Sequence, residues 1–250
     1  MVQACLNGSR SAVDDAGVPM SPRDLARSAA EAVAAGATSV HVHPRTPCGR
    51  ESLSPRVVGP ALEAIRARVP VPVGVTTGAR AEPDPAARLD RVRSWTVLPD
   101  FASVNWHEAG AEEVAAELLA RGVGMEAGIR SGTRGAERFA ASPLGPGVLR
   151  ILAEVTDPDP ATAGASARSL LAQLGTAHGR PVLLHGEEGG TWPVLRLAVR
   201  LGLAIRVGLE DTLLLPDGRR AGSNARLVAE AVAERARFPY RAGRTGGGRR

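Results

Sequence analysis

Short β-branched runs alternate with alanine-rich amphipathic stretches eight times along this chain, and that alternation most constrains its fold. The strand candidates are Val2–Asn7, Thr38–His43, Val71–Thr76, Phe101–Asn105, Val123–Ala127, Leu149–Val155, Pro181–His185 and Leu203–Leu209. Helix candidates lie between and after them: Pro22–Ala35, Pro55–Arg68, Asp84–Ser94, Ala111–Arg121, Gly132–Ala140, Ala161–Ala177, Trp192–Leu201 and Ser223–Glu234. Strands that alternate with helices imply a parallel sheet covered on both faces. Eight such repeats are the count of a single (β/α)8 TIM barrel, and 250 residues suffice for one. An open doubly wound sheet is the runner-up, but no G-x-G-x-x-G follows the first strand. The barrel is expected over residues 1–238, with the Gly/Arg-rich stretch 239–250 as a disordered tail.

Local signals place several helix ends. Ser21-Pro22 with Asp24 reads as a cap, a first-turn proline and an acid matched to the helix dipole. Ser54-Pro55 repeats the cap-proline pattern. Gly36, Gly122 and Gly202 follow helix-like runs, as stop signals should.

Composition removes whole classes of function. The chain has no lysine, so all 31 basic side chains are arginine. A lysine Schiff base and a P-loop lysine are therefore both impossible. Carbanion chemistry on a carbonyl compound would need another electrophile, most simply a metal ion. The formal charge of +5 suggests nucleic acid, but Arg241, Arg244, Arg249 and Arg250 supply most of it from the tail. Aromatic residues make up only 3%, too few for base-stacking platforms, so no nucleic acid is expected as a partner. No run of 18 apolar residues suggests a membrane span. The first residues lack the layout of a signal peptide, and two cysteines, Cys5 and Cys48, fit a reducing compartment, so a cytoplasmic location is expected.

In a TIM barrel, chemistry belongs at the C-terminal ends of the strands. Polar groups end all eight candidates here: Asn7; His41 and His43; Thr76 and Thr77; Asn105; Glu126; Glu154; His185; and Arg206 with Glu210 and Asp211. The sharpest local signal is His41-Val42-His43. Alternate strand residues face one side, so both imidazoles can share one divalent metal. A zinc site commonly takes two histidines and one carboxylate. The third ligand is open among Glu126, Glu154 and Glu210. Arg206 lies four residues before Glu210 and offers a guanidinium for a carboxylate or oxyanion.

These residues together resemble the β-keto acid cleavage enzymes, whose founding type cleaves 3-keto-5-aminohexanoate. The matching stretches are Leu6-Asn7-Gly8, Val18 to Pro22, Ala35 to Arg45, Gly49 to Leu53, Thr76-Thr77-Gly78, Ser103-Val104-Asn105, Arg206 to Asp211 and Ser223 to Val228. A-G-A-x-x-x-H-x-H and R-x-G-L-E-D are specific in combination. The resemblance spans residues 2–236 and implies a zinc-dependent barrel. It implies a reaction of a β-keto acid with acetyl-CoA that yields acetoacetate and a new acyl-CoA. It makes His41, His43 and Glu210 the zinc ligands, and Arg206 and Asp211 a catalytic pair. It places the Thr77 region and Glu126 at the substrate. It also suggests a homo-oligomer.

The chain departs from the family at Ser9-Arg10, where the aminohexanoate-type enzymes carry an acid. His185-Gly186-Glu187-Glu188 lies outside the known motif and is expected to mark a subfamily with a different substrate. Asn7, Thr76, Thr77, Asn105 and His185 are candidates for substrate binding, though hydrogen bonds that close barrel loops explain the first four equally well. Arg45 is a candidate for a CoA phosphate, a substrate carboxylate or a surface ion pair. His107 and His178 read as surface residues, and Ser142–Val148 as a loop of the mouth. Two other functions compete: a zinc lyase or hydrolase acting without CoA, and a non-catalytic barrel that binds a metabolite.

Overall fold

In the computed structural model, which describes residues 1–238, eight parallel strands close into a barrel in chain order. They are β1 (Val2–Cys5), β2 (Ser39–Val42), β3 (Val73–Thr76), β4 (Phe101–Asn105), β5 (Gly124–Arg130), β6 (Arg150–Val155), β7 (Val182–Gly186) and β8 (Ala204–Val207). Pairing of Gln3 with both Ser39 and Arg206 ties β1 to β2 and to β8 and leaves no edge. The helices are α1 (Pro22–Ala34), α2 (Pro55–Arg66), α3 (Pro85–Arg93), α4 (Ala111–Ala120), α5 (Gly135–Ala141), α6 (Ala163–Leu174), α7 (Thr191–Arg200) and α8 (Asn224–Arg237). This is the expected (β/α)8 barrel. The tail 239–250, expected to be disordered, lies outside the described residues.

The caps follow the sequence in part. Ser21 and Asp24 form a reciprocal capping box at α1, with Pro22 in the first turn. Ser54 makes no side-chain cap bond, so α2 starts on the fixed φ of Pro55 alone. Gly36, Gly122 and Gly202 all have positive φ after their helices, as the stop signals required. Three strands differ from expectation by two or more residues at their C-terminal ends. β1 stops at Cys5, because the Asn7 side chain takes over the pairing to His43. β5 runs on to Arg130, where Gly128 and Arg130 still pair with Leu152 and Glu154. β8 ends at Val207, because a side chain at Gly208 would sit 1.9 Å from the Cys5 carbonyl oxygen and the chain turns away there.

Two layers divide the core by chemistry. Outward strand residues such as Val40, Val42, Val73, Val75, Ala102 and Val104 are buried between sheet and helices. The barrel interior is polar instead. Gln3, His41, Thr76, Glu126, His185 and Arg206 are all buried there, where branched aliphatics usually stack. The floor is a compact plug. Gln3 Nε2 donates to Glu126 Oε1 at 2.8 Å, Arg150 Nε donates to the same oxygen, and the Arg150 guanidinium lies 4.8 Å from the centre of the Phe101 ring. Gln3 precedes Cys5 by one interior position on β1, so Glu126 sits one layer below the mouth rather than at it. Its carboxylate is fully buried and ion-paired, so the placement of Glu126 at a substrate finds no support in its position.

Two other expectations fail on topology. Ser142–Val148 connects α5 to β6, so it lies at the N-terminal face, away from the mouth. His178, at the matching turn before β7, is half-buried rather than exposed, and its ring packs edge-on 5.1 Å from Phe139. Among the described residues, no helix is long and apolar enough to cross a membrane.

Gly74 makes the floor possible, since a Cβ there would meet Phe101 Cε2 at 2.0 Å. Gly74→Ala should therefore destabilise the barrel by about 1–3 kcal/mol through overpacking. Urea unfolding of both proteins measures this, and equal midpoints would contradict the packing argument.

Candidate active site

The C-terminal ends of β1, β2 and β8 bring the strongest sequence signals together. One ligand atom each from His41, His43 and Glu210 lies within 4.8 Å of the other two. His41 is buried at the end of β2, and the strand alternation turns His43 to the same side. Glu210 arrives from the loop after β8. Gly8, at φ 51°, leaves it room, for a Cβ there would lie 2.2 Å from Glu210 Cγ. Glu126 and Glu154 do not join this cluster.

The cluster fits a cation. His41 Nδ1 and Glu210 Oε2 are buried without a hydrogen-bond partner among the described residues. A buried acceptor so placed is costly unless a ligand meets it. Two imidazoles and one carboxylate are also the donor set of a catalytic site with an open position. His43 is held from both sides: Nδ1 is 2.9 Å from Glu51 Oε2 and Nε2 is 3.3 Å from Glu210 Oε1. The main chain of His43 is clamped by Asn7, which accepts from its N–H and donates to its carbonyl, both at 2.9 Å. Asn7 thus aims a candidate ligand, and both ends of its amide are engaged.

Charge separates the two histidines. Burial pushes His41 down to about 3, so it is neutral and free to ligate. Burial also acts against the charged form of His43, but Glu210 and Glu51 outweigh it and raise His43 to about 9. Without a cation, His43 is therefore an imidazolium between two carboxylates.

Next to the cluster lies a buried ion pair. Arg206 donates to both oxygens of Asp211, at 3.1 Å from Nη2 and 3.3 Å from Nε, and its Nη2 also reaches Glu210 Oε1 at 2.6 Å. Burial alone would raise the Asp211 carboxyl, but Arg206 holds it below the usual carboxylate range. Cys5 donates its thiol to Asp211 Oδ2 at 2.9 Å, and burial pushes that thiol well up, so it stays protonated. His185 Nδ1 lies 3.4 Å from the same oxygen. Strands β1, β7 and β8 thus converge on one carboxylate.

Elsewhere the rim hydrogen bonds are occupied. Thr77 Oγ1 donates to the Ser103 carbonyl at 2.7 Å, and Thr76 Oγ1 accepts from Gly78 N–H at 3.0 Å. Both threonines close the loop after β3. Arg45 donates to the carbonyls of Gly8, Arg10 and Gly49, so it pins the β1 and β2 loops together. Arg10 reaches across the mouth to Glu188 and to the Glu210 carbonyl. The resulting opening, lined by Ser9, Arg10, Glu187, Glu188, Glu210 and Asp211, encloses about 220 Å3.

Sequence reasoning gave no role to four residues that build this site. Glu51 lies in a polar loop eight residues after His43, and nothing in its spacing marks the pairing. Cys5 read only as a free thiol. Asn224, inside a matching motif, accepts from Leu209 N–H at 2.7 Å and donates to the Leu6 carbonyl at 2.9 Å, which fixes the turn that carries Glu210. Gly8 was part of a motif without a stated purpose.

The model of the β-keto acid cleavage enzyme family matches residues 1–140 and 153–240, nearly the whole chain. The chain belongs to that family. No curated protein matches it. Among solved structures, ObcA in a ternary complex with a C4-CoA adduct and oxalate is similar at 17% identity and a TM-score of 0.69, over 87% of this chain and 63% of ObcA. ObcA in a binary complex with oxaloacetate gives 17% identity and a TM-score of 0.64 over the same shares. The (S)-3-O-geranylgeranylglyceryl phosphate synthase of Thermoplasma acidophilum has 14% identity and a TM-score of 0.54, covering 94% of this chain and 92% of its own. At these identities the likeness shows the barrel fold. The chain spans only 63% of ObcA's length.

Two outcomes follow for this family member. A cation must displace the His43 proton, so affinity for added Zn2+ should rise about tenfold per pH unit up to pH about 9 and then level off. Chelator competition across that range measures it, and a flat profile would contradict a protonated His43. Asn7→Ala should weaken Zn2+ binding about 10–100-fold, as loss of a group that aims a ligand does. The same competition assay, with circular dichroism to confirm the barrel, decides it.

Proposed function

We propose that the chain is a zinc-dependent acyltransferase that reacts a β-keto acid with acetyl-CoA to give acetoacetate and a new acyl-CoA. The observation that carries this reading is the convergence of His41, His43 and Glu210 beside the buried Arg206–Asp211 pair, at the end of the barrel where such enzymes do chemistry. Family membership supplies the reaction type. ObcA, captured with oxaloacetate and with a CoA adduct, supports keto acid and CoA as the ligands of this fold.

His41, His43 and Glu210 would hold the zinc. When bound, it would supply a Lewis acid for the keto oxygen and offset the charge of an enolate. The absence of lysine closes the imine route to the same end. Arg206 presents a fixed guanidinium in the mouth, suited to a substrate carboxylate or oxyanion. It also keeps Asp211 ionised, so that Asp211 can take a proton from a carbon acid brought beside it. Cys5 donates to the Asp211 carboxylate and holds it in place, and His185 stands beside it at 3.4 Å. Asn7 and Glu51 orient His43. Asn105 stands at the rim as a substrate contact, whereas Thr76 and Thr77 act through the loop they close.

The test is metal content and turnover together. Untagged protein should hold about one zinc per chain, and a His41→Ala/His43→Ala variant should hold none. Turnover of β-keto acids should require acetyl-CoA, and turnover in its absence would replace the transferase reading with a lyase or hydrolase. Asp211→Asn should keep its zinc and lose at least about 100-fold in kcat. Unchanged kcat in that variant would remove Asp211 from the chemistry.

A further inference from the structure

The segment that follows β2 folds back on itself beside the metal cluster. Arg45 and Glu51 pair as an antiparallel bridge, Thr46 N–H donates to the Arg50 carbonyl at 2.8 Å, and Gly49 N–H donates to the Thr46 carbonyl at 2.8 Å. The tip, Pro47 to Gly49, is thereby a fixed ridge. Arg45 anchors its base, since it is 9% exposed and donates to the carbonyls of Gly8, Arg10 and Gly49.

Two cavities adjoin this ridge, and Arg45 and Thr46 line both. The first, of about 470 Å3, reaches the loop after β3 and is walled by Arg50, Ser52 and Arg80, with Glu51 as its acid. Three guanidinium groups thus stand against one carboxylate. That carboxylate is 5% exposed and already engaged, for its Oε2 lies 2.9 Å from His43 Nδ1 and its Oε1 is 4.0 Å from Arg80. Arg50 and Arg80 are exposed arms, and Arg50 pairs with no acid among the described residues. The second cavity, of about 550 Å3, has apolar walls: Met20, Pro22, Pro47, Val57 and Pro60, from the starts of α1 and α2 and from the ridge itself. Both volumes are those of small-molecule sites. One cavity offers positive charge and its neighbour offers apolar faces, so a ligand that fills the pair joins phosphoryl groups to a flat ring.

We propose that the two cavities form one nucleotide site, in which Arg50 and Arg80 take the phosphoryl groups and the apolar cavity takes the base. Guanidinium groups grip phosphate with paired hydrogen bonds, and two mobile arms can close on one anion from different sides. Arg45 is spent on backbone carbonyls and supplies charge and a rigid wall. The site stands on these residues and not on the function proposed above. Acetyl-CoA is one nucleotide that function would bring to this face, and a free nucleotide is the other source of the same chemistry.

Cys48 is a built-in reporter. It lines the second cavity, it is exposed whereas Cys5 is buried, and contacts with Thr46 and Arg50 hold its thiol below the usual range. Its alkylation by iodoacetamide, followed by mass spectrometry of the intact chain, needs neither metal nor keto acid. ADP and acetyl-CoA are the nucleotide probes, and adenosine and inorganic phosphate are the fragments. The nucleotides should slow alkylation, with half-protection at a concentration at least about tenfold lower than for either fragment. In an Arg50→Gln/Arg80→Gln variant, read against its own unprotected rate, that concentration should rise about 10–100-fold for the nucleotides and stay within about twofold for adenosine. Protection by either nucleotide that the arginine variant loses supports the site, and the more effective of the two names the source. Inorganic phosphate as effective as ADP, protection that survives the variant, or no protection by either nucleotide overturns it. Acetyl-CoA-dependent turnover is measured separately. Turnover without protection of Cys48 sinks the nucleotide site and leaves the proposed reaction standing, and protection by ADP without turnover does the reverse.

Discussion

The Asp211 carboxylate is the point on which the upper barrel depends. It accepts from Arg206 of β8 and Cys5 of β1, and His185 of β7 stands beside it. Strands that meet at the barrel seam are thereby joined by side chains as well as by backbone ladders. Burying this charge is expensive, and the guanidinium offsets that cost only while both partners are present. Arg206 also reaches Glu210, so the ion pair and the candidate metal cluster share one donor. A disturbance in either is felt by the other.

The interior shows what this arrangement requires. A barrel filled with aliphatics would have no place for so many charges. Here the apolar burial moves outward, to the layer between strands and helices, where Val40, Val75, Leu62, Ile65 and Leu118 are fully enclosed. That layer supplies the hydrophobic driving force. The inner surface is then free to hold an acid-base network above and the Glu126–Arg150 pair below. Glycines at 74 and 128 leave room for large and charged groups from the neighbouring strands, Phe101 at the first and Asn105 with Glu154 at the second.

Much of this was legible in the sequence, and the limits have physical causes. Element order followed from hydrophobic periodicity, because every strand and helix has one apolar face to bury. His41 and His43 were legible because two histidines one residue apart on a strand end have few structural uses. The third ligand was not legible from the residues alone, where Glu126, Glu154 and Glu210 stayed open; the family resemblance named Glu210, which sits on the loop after β8 rather than on the strand that carries Arg206. The depth of Glu126 was not legible, because its position along β5 depends on barrel stagger, which one sequence does not reveal. Asn7 and Arg45 were ambiguous for another reason. Polar residues that hold loops and polar residues that hold ligands have the same composition, and only the partners separate them. Glu51 was invisible, since its link to His43 is made by a loop returning on itself.

The plug of Gln3, Glu126, Arg150 and Phe101 has a consequence for traffic. It fills the N-terminal end of the barrel, so the interior has a single door. Under the function proposed above, every reactant and every product would have to use that one door, so the end of the barrel that does no chemistry sets the route for the end that would.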